Sequence, residues 1–285
     1  MENILEIKNL CKKYDNFELK NVSFNVPKGM IMGFIGENGA GKTTTIKAIL
    51  DIIQNYKGNI KIFGLDNRKD EAKIKEDIGV VLDDMFFPEI LTANDINSIL
   101  KDTYKNWDSN LYYKYLKDFG LSNNKPIKTL SKGMRKKLEI ATALSRHPKL
   151  LILDEPTSGL DPIARNEVID IFQDFIQSEE CSIFLSSHIT TDLEHIADYI
   201  TFINKGEILL SKTCNELLEK YGIVKCTEAE FKKIDKKDYI RYKKTKYEYD
   251  VLVENKKEFS KKYSVSTIDK ITLEDLMLLM IKGVR

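Results

Sequence analysis

The stretch that most constrains this chain is residues 36–43, with the sequence GENGAGKT. It contains three glycines and ends in Lys42 and Thr43. The apolar run 30–35 precedes it, and a helix-like pattern of apolar residues follows it over 44–53. Strand, glycine loop and helix in this order are typical of a phosphate-binding loop, so the sequence predicts a fold built around one.

The chemistry of this loop follows from its residue types. Glycines let successive backbone N–H groups turn toward one concavity, and the N-terminus of the following helix adds partial positive charge. Lys42 is then placed to reach the outer phosphates of a nucleotide, and Thr43 to offer its hydroxyl to Mg²⁺. The predicted nucleotide-binding residues of the loop are Gly36, Asn38, Gly39, Ala40, Gly41, Lys42, Thr43 and Thr44.

Composition excludes several classes of protein. The chain has 285 residues and a formal net charge of +1, which does not indicate a nucleic-acid partner. Its apolar runs are far shorter than the roughly 20 residues of a membrane span. Its first residues lack the pattern of a signal peptide, so we expect a cytoplasmic location. Four cysteines without C-x-x-C spacing predict free thiols: Cys11, Cys181, Cys214 and Cys226.

The N-terminal part predicts a small antiparallel sheet. Residues 4–26 alternate between apolar and polar in short pieces, broken at residues 15–16. Tyr14 stands next to this break, upstream of the glycine loop, in a position from which its ring would stack on a nucleobase. The alternative is that Tyr14 only packs on the sheet.

Three short apolar runs are typical of strands buried on both faces, at residues 78–82, 149–153 and 181–186. Each ends in polar residues: Asp83 follows the first, Asp154 and Glu155 follow the second, and His188 follows the third. Because parallel sheets bind their ligands at the carboxyl ends of their strands, we expect these residues to form one site.

The carboxylates of this predicted site differ in their expected roles. Asp154 would approach the Mg²⁺ held by Thr43, and Glu155 would orient or deprotonate water. Asp83, followed by Asp84, fits either a Mg²⁺ or water ligand or an ordinary turn former at a strand end. The sequence leaves both readings of Asp83 open.

A mostly helical block is predicted between residues 85 and 147, from apolar residues spaced three and four apart. Within it, residues 130–134 (LSKGM) form a polar break before a helix, where Ser131 and the Gly133 amide would make a second anion site. An ordinary helix cap is the alternative. The aromatic segment 85–88 is our candidate for docking on a partner protein.

The character of the chain changes near Cys214. A basic stretch that contains tyrosines follows, and the chain ends in a predicted apolar helix from about residue 271. We expect a small appended domain over 221–285. Its basic residues fit either a solvated face or a partner site.

These motifs, in this order, resemble those of the nucleotide-binding subunits of ABC transporters over about residues 4–220. Residues 36–43 resemble the Walker A loop, and 150–155 resemble Walker B with its catalytic glutamate. The segment 130–134 is similar to the family signature Leu-Ser-Gly-Gly-Gln, which in the family contacts the γ-phosphate of ATP held by the opposite subunit. The segment 158–161, which ends in Asp161, resembles the D-loop. Two single positions also match: Tyr14 the A-loop aromatic residue and His188 the switch histidine.

The resemblance implies an α/β fold, a P-loop NTPase core with a mostly parallel sheet. An N-terminal antiparallel β-subdomain, an inserted helical subdomain at about 85–147 and the small C-terminal domain complete it. The implied activity is ATP hydrolysis with Mg²⁺ by a head-to-tail dimer at the inner face of the cell membrane, driving a separate transmembrane permease. Glu155 would polarise water, His188 would hold the γ-phosphate, and Lys42 would stabilise charge on it. Ser131, Gly133 and Asp161 would complete the nucleotide site.

Two departures from the family pattern stand out. Lys132 and Met134 replace the third and fifth signature residues, and Asp83 stands where the family usually has a glutamine. Aspartate adds negative charge and cannot donate an amide hydrogen bond, so coupling to the membrane partner would differ. The Ser-Lys-Gly-Met style of signature most resembles single-domain ATPases of the ABC-2 and antibiotic-export type.

Two other functions remain open from the sequence. One is a soluble ABC ATPase without a transport role, although the chain has one set of motifs and no sustained heptads. The other is a nucleotide-sensing regulatory subunit, which Asp83 makes conceivable and which Glu155 and His188 argue against.

Overall fold

The computed structural model describes residues 2–83, 87–263 and 267–284. The strands are β1 (Asn3–Lys13), β2 (Glu18–Pro27), β3 (Ile31–Ile35), β4 (Lys57–Ile62), β5 (Leu65–Asp66), β6 (Ile78–Val81), β7 (Leu150–Asp154), β8 (Ser182–Ser187), β9 (Tyr199–Asn204), β10 (Glu207–Thr213), β11 (Gly222–Cys226), β12 (Arg241–Lys244), β13 (Tyr249–Val253) and β14 (Thr267–Lys270).

The helices are α1 (Lys42–Ile49), α2 (Glu71–Asp77), α3 (Ala93–Thr103), α4 (Ser109–Asp118), α5 (Lys132–Leu144), α6 (Pro162–Ile176), α7 (Thr190–Ile196), α8 (Cys214–Lys220), α9 (Glu228–Phe231), α10 (Lys256–Lys262) and α11 (Leu273–Lys282). Short 3₁₀ helices occur at Ile127–Thr129 and Lys236–Asp238.

The central sheet has six strands in the order β10-β9-β3-β8-β7-β6. All neighbouring pairs are parallel except β9 and β10, which form an antiparallel hairpin. Every residue of β3, β7 and β8 is buried, as expected for strands covered on both faces. The predicted α/β fold with a mostly parallel sheet is therefore confirmed.

Side chains alternate between the two faces of this sheet. On β7, Leu151 and Leu153 join a cluster with residues of α5, α6 and α7. Leu150 and Ile152 join a second cluster with α1 and the N-terminal sheet. The sheet is thus held between two apolar layers, and its strand ends meet at one edge.

The N-terminal sheet has four strands in the order β2-β1-β4-β5, all paired antiparallel. This confirms the predicted antiparallel sheet. The mostly polar segment before β6 forms α2, which the sequence did not predict. Ile74 is the buried residue of that short helix, so it has no apolar periodicity to detect.

The predicted helical block contains α3, α4 and α5. Capping residues set their starts: Thr92 and Asp95 form a capping box on α3, and Asp108 accepts the Leu111 amide at the start of α4. Their apolar faces form a cluster of their own around Tyr112.

The C-terminal part forms a third, antiparallel sheet in the order β12-β13-β11-β14. One set of its apolar residues, including Val224 and Phe259, forms a local cluster. Another set, including Leu252 and Leu276, belongs to the cluster that covers the central sheet. The four cysteines are free: Cys214 and Cys226 are buried, and Cys11 and Cys181 are half-buried.

Candidate functional site

The phosphate loop connects β3 to α1. Lys42 is the first residue of α1, and its Nζ donates to the Gly36 carbonyl at 2.7 Å and the Glu37 carbonyl at 3.4 Å. Gly41 has a φ of +113°, a conformation that L side chains rarely adopt. A Cβ at Gly36 would lie 2.4 Å from the Ile203 carbonyl oxygen. Glycine is therefore required at both positions for the loop to keep this shape.

A cleft of about 480 Å³ lies against this loop. All predicted loop residues except Gly36 and Ala40 line it. The other lining residues are Asn16, Phe17, Glu37, Asp83 and Glu155. The cleft thus combines the backbone of a phosphate loop with carboxylates from two strand ends.

Glu155 is the centre of the polar cluster in this cleft. Its Oε1 lies 3.3 Å from Lys42 Nζ, and its Oε2 lies 2.7 Å from His188 Nδ1. The side chain is 12% exposed, whereas His188 is 44% exposed. The structure therefore brings together three residues that come from the phosphate loop, the end of β7 and the end of β8.

The backbone of Glu155 explains how its side chain reaches this position. Its φ is +51°, in the left-handed region, immediately after β7 ends and before Pro156. Its N–H donates to the Ser186 carbonyl at 3.1 Å. The chain turns out of the sheet at this residue, and the carboxylate enters the cleft.

Asp154 has a different environment from Glu155. It is 1% exposed and accepts a hydrogen bond from the Ser186 hydroxyl of the neighbouring strand. It does not line the cleft. Its predicted role as a Mg²⁺ ligand stays a prediction.

A second buried contact connects the segments after β7 and β8. The Thr157 hydroxyl donates to Asp192 Oδ2 at 2.7 Å, and Arg165 Nε lies 4.0 Å from the same oxygen. Thr157 follows Glu155 by two positions, and Asp192 follows His188 by four. This contact fixes the two catalytic candidates relative to each other, and the sequence analysis missed it.

Comparison with known proteins identifies the family. The ABC transporter family model matches residues 19–158. A lantibiotic transport ATP-binding protein of Streptococcus pyogenes is 39% identical over 213 residues, which are 73% of this chain and 90% of that protein. This chain belongs to the ABC transporter ATP-binding proteins.

Further relatives of this ABC ATP-binding subunit agree with that result. A bacitracin transport ATP-binding protein of Bacillus licheniformis is 36% identical over 215 residues, covering 73% of this chain and 69% of that protein. Among solved structures, an ATP binding subunit of an ABC transporter aligns with a TM-score of 0.68 and 27% identity, over 75% of this chain and 91% of that one. The predicted resemblance to export-type ABC ATPases is therefore confirmed.

The signature segment of this ABC subunit lies away from the cleft. Ser131 is exposed and caps α5, accepting the Met134 amide at 3.2 Å, and Gly133 is half-buried. Asp161 is exposed and caps α6, and the Ala164 and Ile163 amides hold the pKa of its carboxyl below its ordinary value. None of these three residues lines the cleft of the same chain.

The two aromatic residues of the turn before β2 differ in their positions relative to the cleft. Tyr14 is 42% exposed, with the Lys12 ammonium 5.1 Å from its ring centre, and it does not line the cleft. Phe17 does line the cleft, and its ring would lie 2.9 Å from a Cβ at Gly41. The sequence analysis missed Phe17, although it lies in the same turn as Tyr14.

None of the helices in the described part of this ABC subunit has the length and apolar character of a membrane span. An apolar groove of about 520 Å³ lies between the central sheet and the helical block. Phe87 lines it, together with Leu82 and Glu139. The candidate docking segment 85–88 lies partly outside the described residues, and Phe87 and Pro88 are its described members.

Proposed function

We propose that two copies of this ABC ATPase assemble head to tail, enclose ATP and Mg²⁺ between them, and drive a separate transmembrane permease at the inner face of the cell membrane. The relatives named for lantibiotic and bacitracin transport favour an antibiotic as the exported cargo. The observation that carries the proposal is the contact of Glu155 with both Lys42 and His188 beside the phosphate loop.

This cluster supports hydrolysis as well as binding. Glu155 Oε1 is buried and lies 3.3 Å from Lys42 Nζ, but it accepts no hydrogen bond among the described residues, so it has a lone pair left to accept one from a water. Its other oxygen is held by His188, which orients the carboxylate. Glu155 then polarises the attacking water, and His188 keeps the γ-phosphate and the water in line. Lys42 stabilises the charge that develops on the transferred phosphoryl group.

The donor set of the cleft fits Mg²⁺. The exposed Thr43 and Asp83 offer a hydroxyl and a carboxylate oxygen, the hard ligands that this ion prefers. Among the described residues, no three His, Cys, Asp or Glu side chains are grouped to hold a metal alone, so phosphate oxygens and water would supply the remaining ligands. When bound, Mg²⁺ neutralises charge on the phosphates. Asp154 would support it from the buried end of β7.

The head-to-tail arrangement explains why Ser131 and Gly133 lie away from their own cleft. An exposed helix start with a serine cap is an anion site that a second copy can use. Lys132 adds a positive charge at this start, and its side chain lies against Gly159 of the D-loop segment. Ser131, Gly133 and Asp161 therefore contact ATP bound in the partner copy.

The test is steady-state ATP hydrolysis by the purified chain, with its oligomeric state followed by light scattering. We expect activity that rises cooperatively with protein concentration. Glu155→Gln should abolish hydrolysis and accumulate an ATP-bound dimer. Glu37→Gln is the matched control, because it removes another carboxylate from the same cleft without a contact to Lys42 or His188 through its side chain. An active Glu155→Gln variant, or one that stays monomeric with ATP, would contradict the proposal.

The permease is expected to dock in the apolar groove that contains Phe87. The groove has apolar lining residues from both the central sheet and the helical block, so a partner seated there contacts both. It also contains Leu82, the residue next to Asp83 in the nucleotide cleft. Docking at this place would connect the permease to nucleotide binding.

Charging the groove tests this docking. Phe87→Asp should release the subunit from membranes that contain its permease, because an unpaired carboxylate in an apolar interface is costly. ATP binding should stay unchanged. The measurement is recovery of the subunit in the membrane fraction, with Ile90→Asp, at a 75% exposed position, as the control. Equal recovery of Phe87→Asp and the wild type would rule out docking at Phe87.

A further inference from the structure

Lys136 is a charged residue in an unusual place. It lies in the second turn of α5, yet its side chain is only 4% exposed. Lysine is rarely buried to this extent unless its ammonium is paired. The sequence run Arg135-Lys136-Lys137 gives no sign of this, because it resembles any charged helix surface.

The contacts of Lys136 connect two elements. Its Nζ donates to the Leu82 carbonyl at 2.6 Å and lies 2.9 Å from Glu139 Oε2. Leu82 follows β6 directly and precedes Asp83, which lines the nucleotide cleft. A single buried ammonium therefore joins the helix that begins after Ser131 to the backbone beside the cleft.

We propose that Lys136 is a positioning residue that fixes the Ser131 end of α5 relative to the Asp83 end of β6. Nucleotide bound in the cleft then sets the position of the signature segment that reaches the second copy. This inference rests on the proposed head-to-tail dimer. Leu82 and Glu139, the two residues that Lys136 contacts, also line the Phe87 groove, so a docked permease acts on the same connection.

The neighbouring Lys137 shows what an ordinary lysine of this helix does. It pairs with Glu167 of α6; the Lys137 side chain is 14% exposed and that of Glu167 is 50% exposed. A pair whose carboxylate is half exposed to solvent contributes little to stability. Lys137 is therefore the matched control for the loss of one positive charge from α5.

The experiment must separate positioning from folding. Removing Lys136 alone breaks its ion pair with the buried Glu139 carboxylate, and breaking a buried pair destabilises a fold strongly. We therefore compare two variants. Glu139→Gln keeps the bond from Lys136 to Leu82 and an amide oxygen that can accept from the Lys136 ammonium, and the double variant K136M/E139Q removes both contacts. Both are made in the Glu155→Gln background, with Lys137→Met as the control. The measurements are affinity for a fluorescent ATP analogue, the ATP-dependent dimer dissociation constant and the thermal midpoint.

The expected result is a selective loss of dimerisation. K136M/E139Q should bind the ATP analogue as Glu139→Gln does, while its dimer dissociation constant rises about tenfold, the effect of losing one charged hydrogen bond. Lys137→Met should dimerise normally. Equal dimerisation of the double variant and Glu139→Gln would overturn the proposal. A lower thermal midpoint together with weaker nucleotide binding and weaker dimerisation would also overturn the proposal. Lys136 would then have a purely structural role. A Glu155→Gln parent that fails to dimerise would overturn the proposed function and this inference together.

Discussion

At the residue scale, the site depends on the backbone of Glu155. A left-handed conformation costs a residue other than glycine about 1 kcal/mol, and here the hydrogen bond to Ser186 helps to hold it. The benefit is functional, since the turn places the carboxylate between Lys42 and His188. The same contact means that Glu155 and a bound phosphate compete for the Lys42 ammonium.

This competition predicts a change in nucleotide affinity without hydrolysis. Glu155→Gln should raise ADP affinity about tenfold, because the neutral amide no longer holds Lys42 in a buried ion pair. The measurement is isothermal titration of ADP, which lacks the γ-phosphate and so avoids the trapped dimer. Asp83→Asn is the control: it removes an equal charge from the same cleft but does not contact Lys42. An equal rise in ADP affinity in both variants would show that the net charge of the cleft, and not the contact with Lys42, sets the affinity.

The second prediction at this scale concerns which aromatic residue stacks on the nucleobase. Tyr14 is the residue that the resemblance assigns, and we expect Tyr14→Ala to weaken ATP binding about tenfold through lost stacking. Phe17→Ala should instead act on the phosphate loop, because its ring packs against Gly41. Measuring the affinity of each variant for ATP and for inorganic triphosphate separates stacking on the base from support of the phosphate loop, because triphosphate has no base. Tyr14→Ala should lose affinity for ATP alone, and a loss of affinity for both ligands would contradict a stacking role.

At the element scale, the β9–β10 hairpin of the central sheet contacts both the N-terminal sheet and the phosphate loop. The Gly206 N–H donates to the Ala40 carbonyl at 3.0 Å, and its carbonyl accepts the Lys20 amide at 2.8 Å. Gly206 has a φ of +78°, and a Cβ there would lie 1.8 Å from the Glu18 carbonyl oxygen. The hairpin tip is therefore part of the support of the nucleotide cleft.

Substituting Gly206 should separate two costs: that of a side chain in this backbone conformation and that of a Cβ in close contact with Glu18. Gly206→Ala should lower the free energy of unfolding by about 3 kcal/mol, because both the backbone conformation and the close contact oppose a side chain. Gly64→Ala should cost only about 1 kcal/mol, since Gly64 has a φ of +75° but nothing within 4 Å of its Cβ position. Urea denaturation measures both. Similar losses in the two variants would show that the contact with Glu18 relaxes freely.

The elements also show how far the sequence determines the site. Strong apolar runs predicted β3, β7 and β8, and their polar ends predicted that Glu155 and His188 meet. The amphipathic signal of α2 was too weak to detect, because only Ile74 marks its inner face. Lys136 was missed for a different reason. Its burial depends on β6 lying beside α5, and no local pattern records that neighbour.

At the scale of the whole molecule, the C-terminal sheet and α11 pack on the ATPase core. Leu252, Leu273 and Leu276 are fully buried in the same cluster as Leu151 of the central sheet. The Leu273 amide donates to Glu194 of α7, the helix that follows His188. The sequence predicts a small appended domain over 221–285. We instead propose that this part unfolds together with the core.

Calorimetry tests this proposal with two core variants. Leu276→Ala, in the shared cluster, and Phe259→Ala, in the local C-terminal cluster, should each cost about 3 kcal/mol. If the chain unfolds as one cooperative unit, both variants should lower the midpoint of a single transition. Both should then destabilise the whole ATPase and not only its C-terminal part. If the C-terminal part is independent, Phe259→Ala should move a separate early transition and leave the main one unchanged. That result would support the predicted domain boundary. Leu276 would then only pack in the interface between two independently folding units.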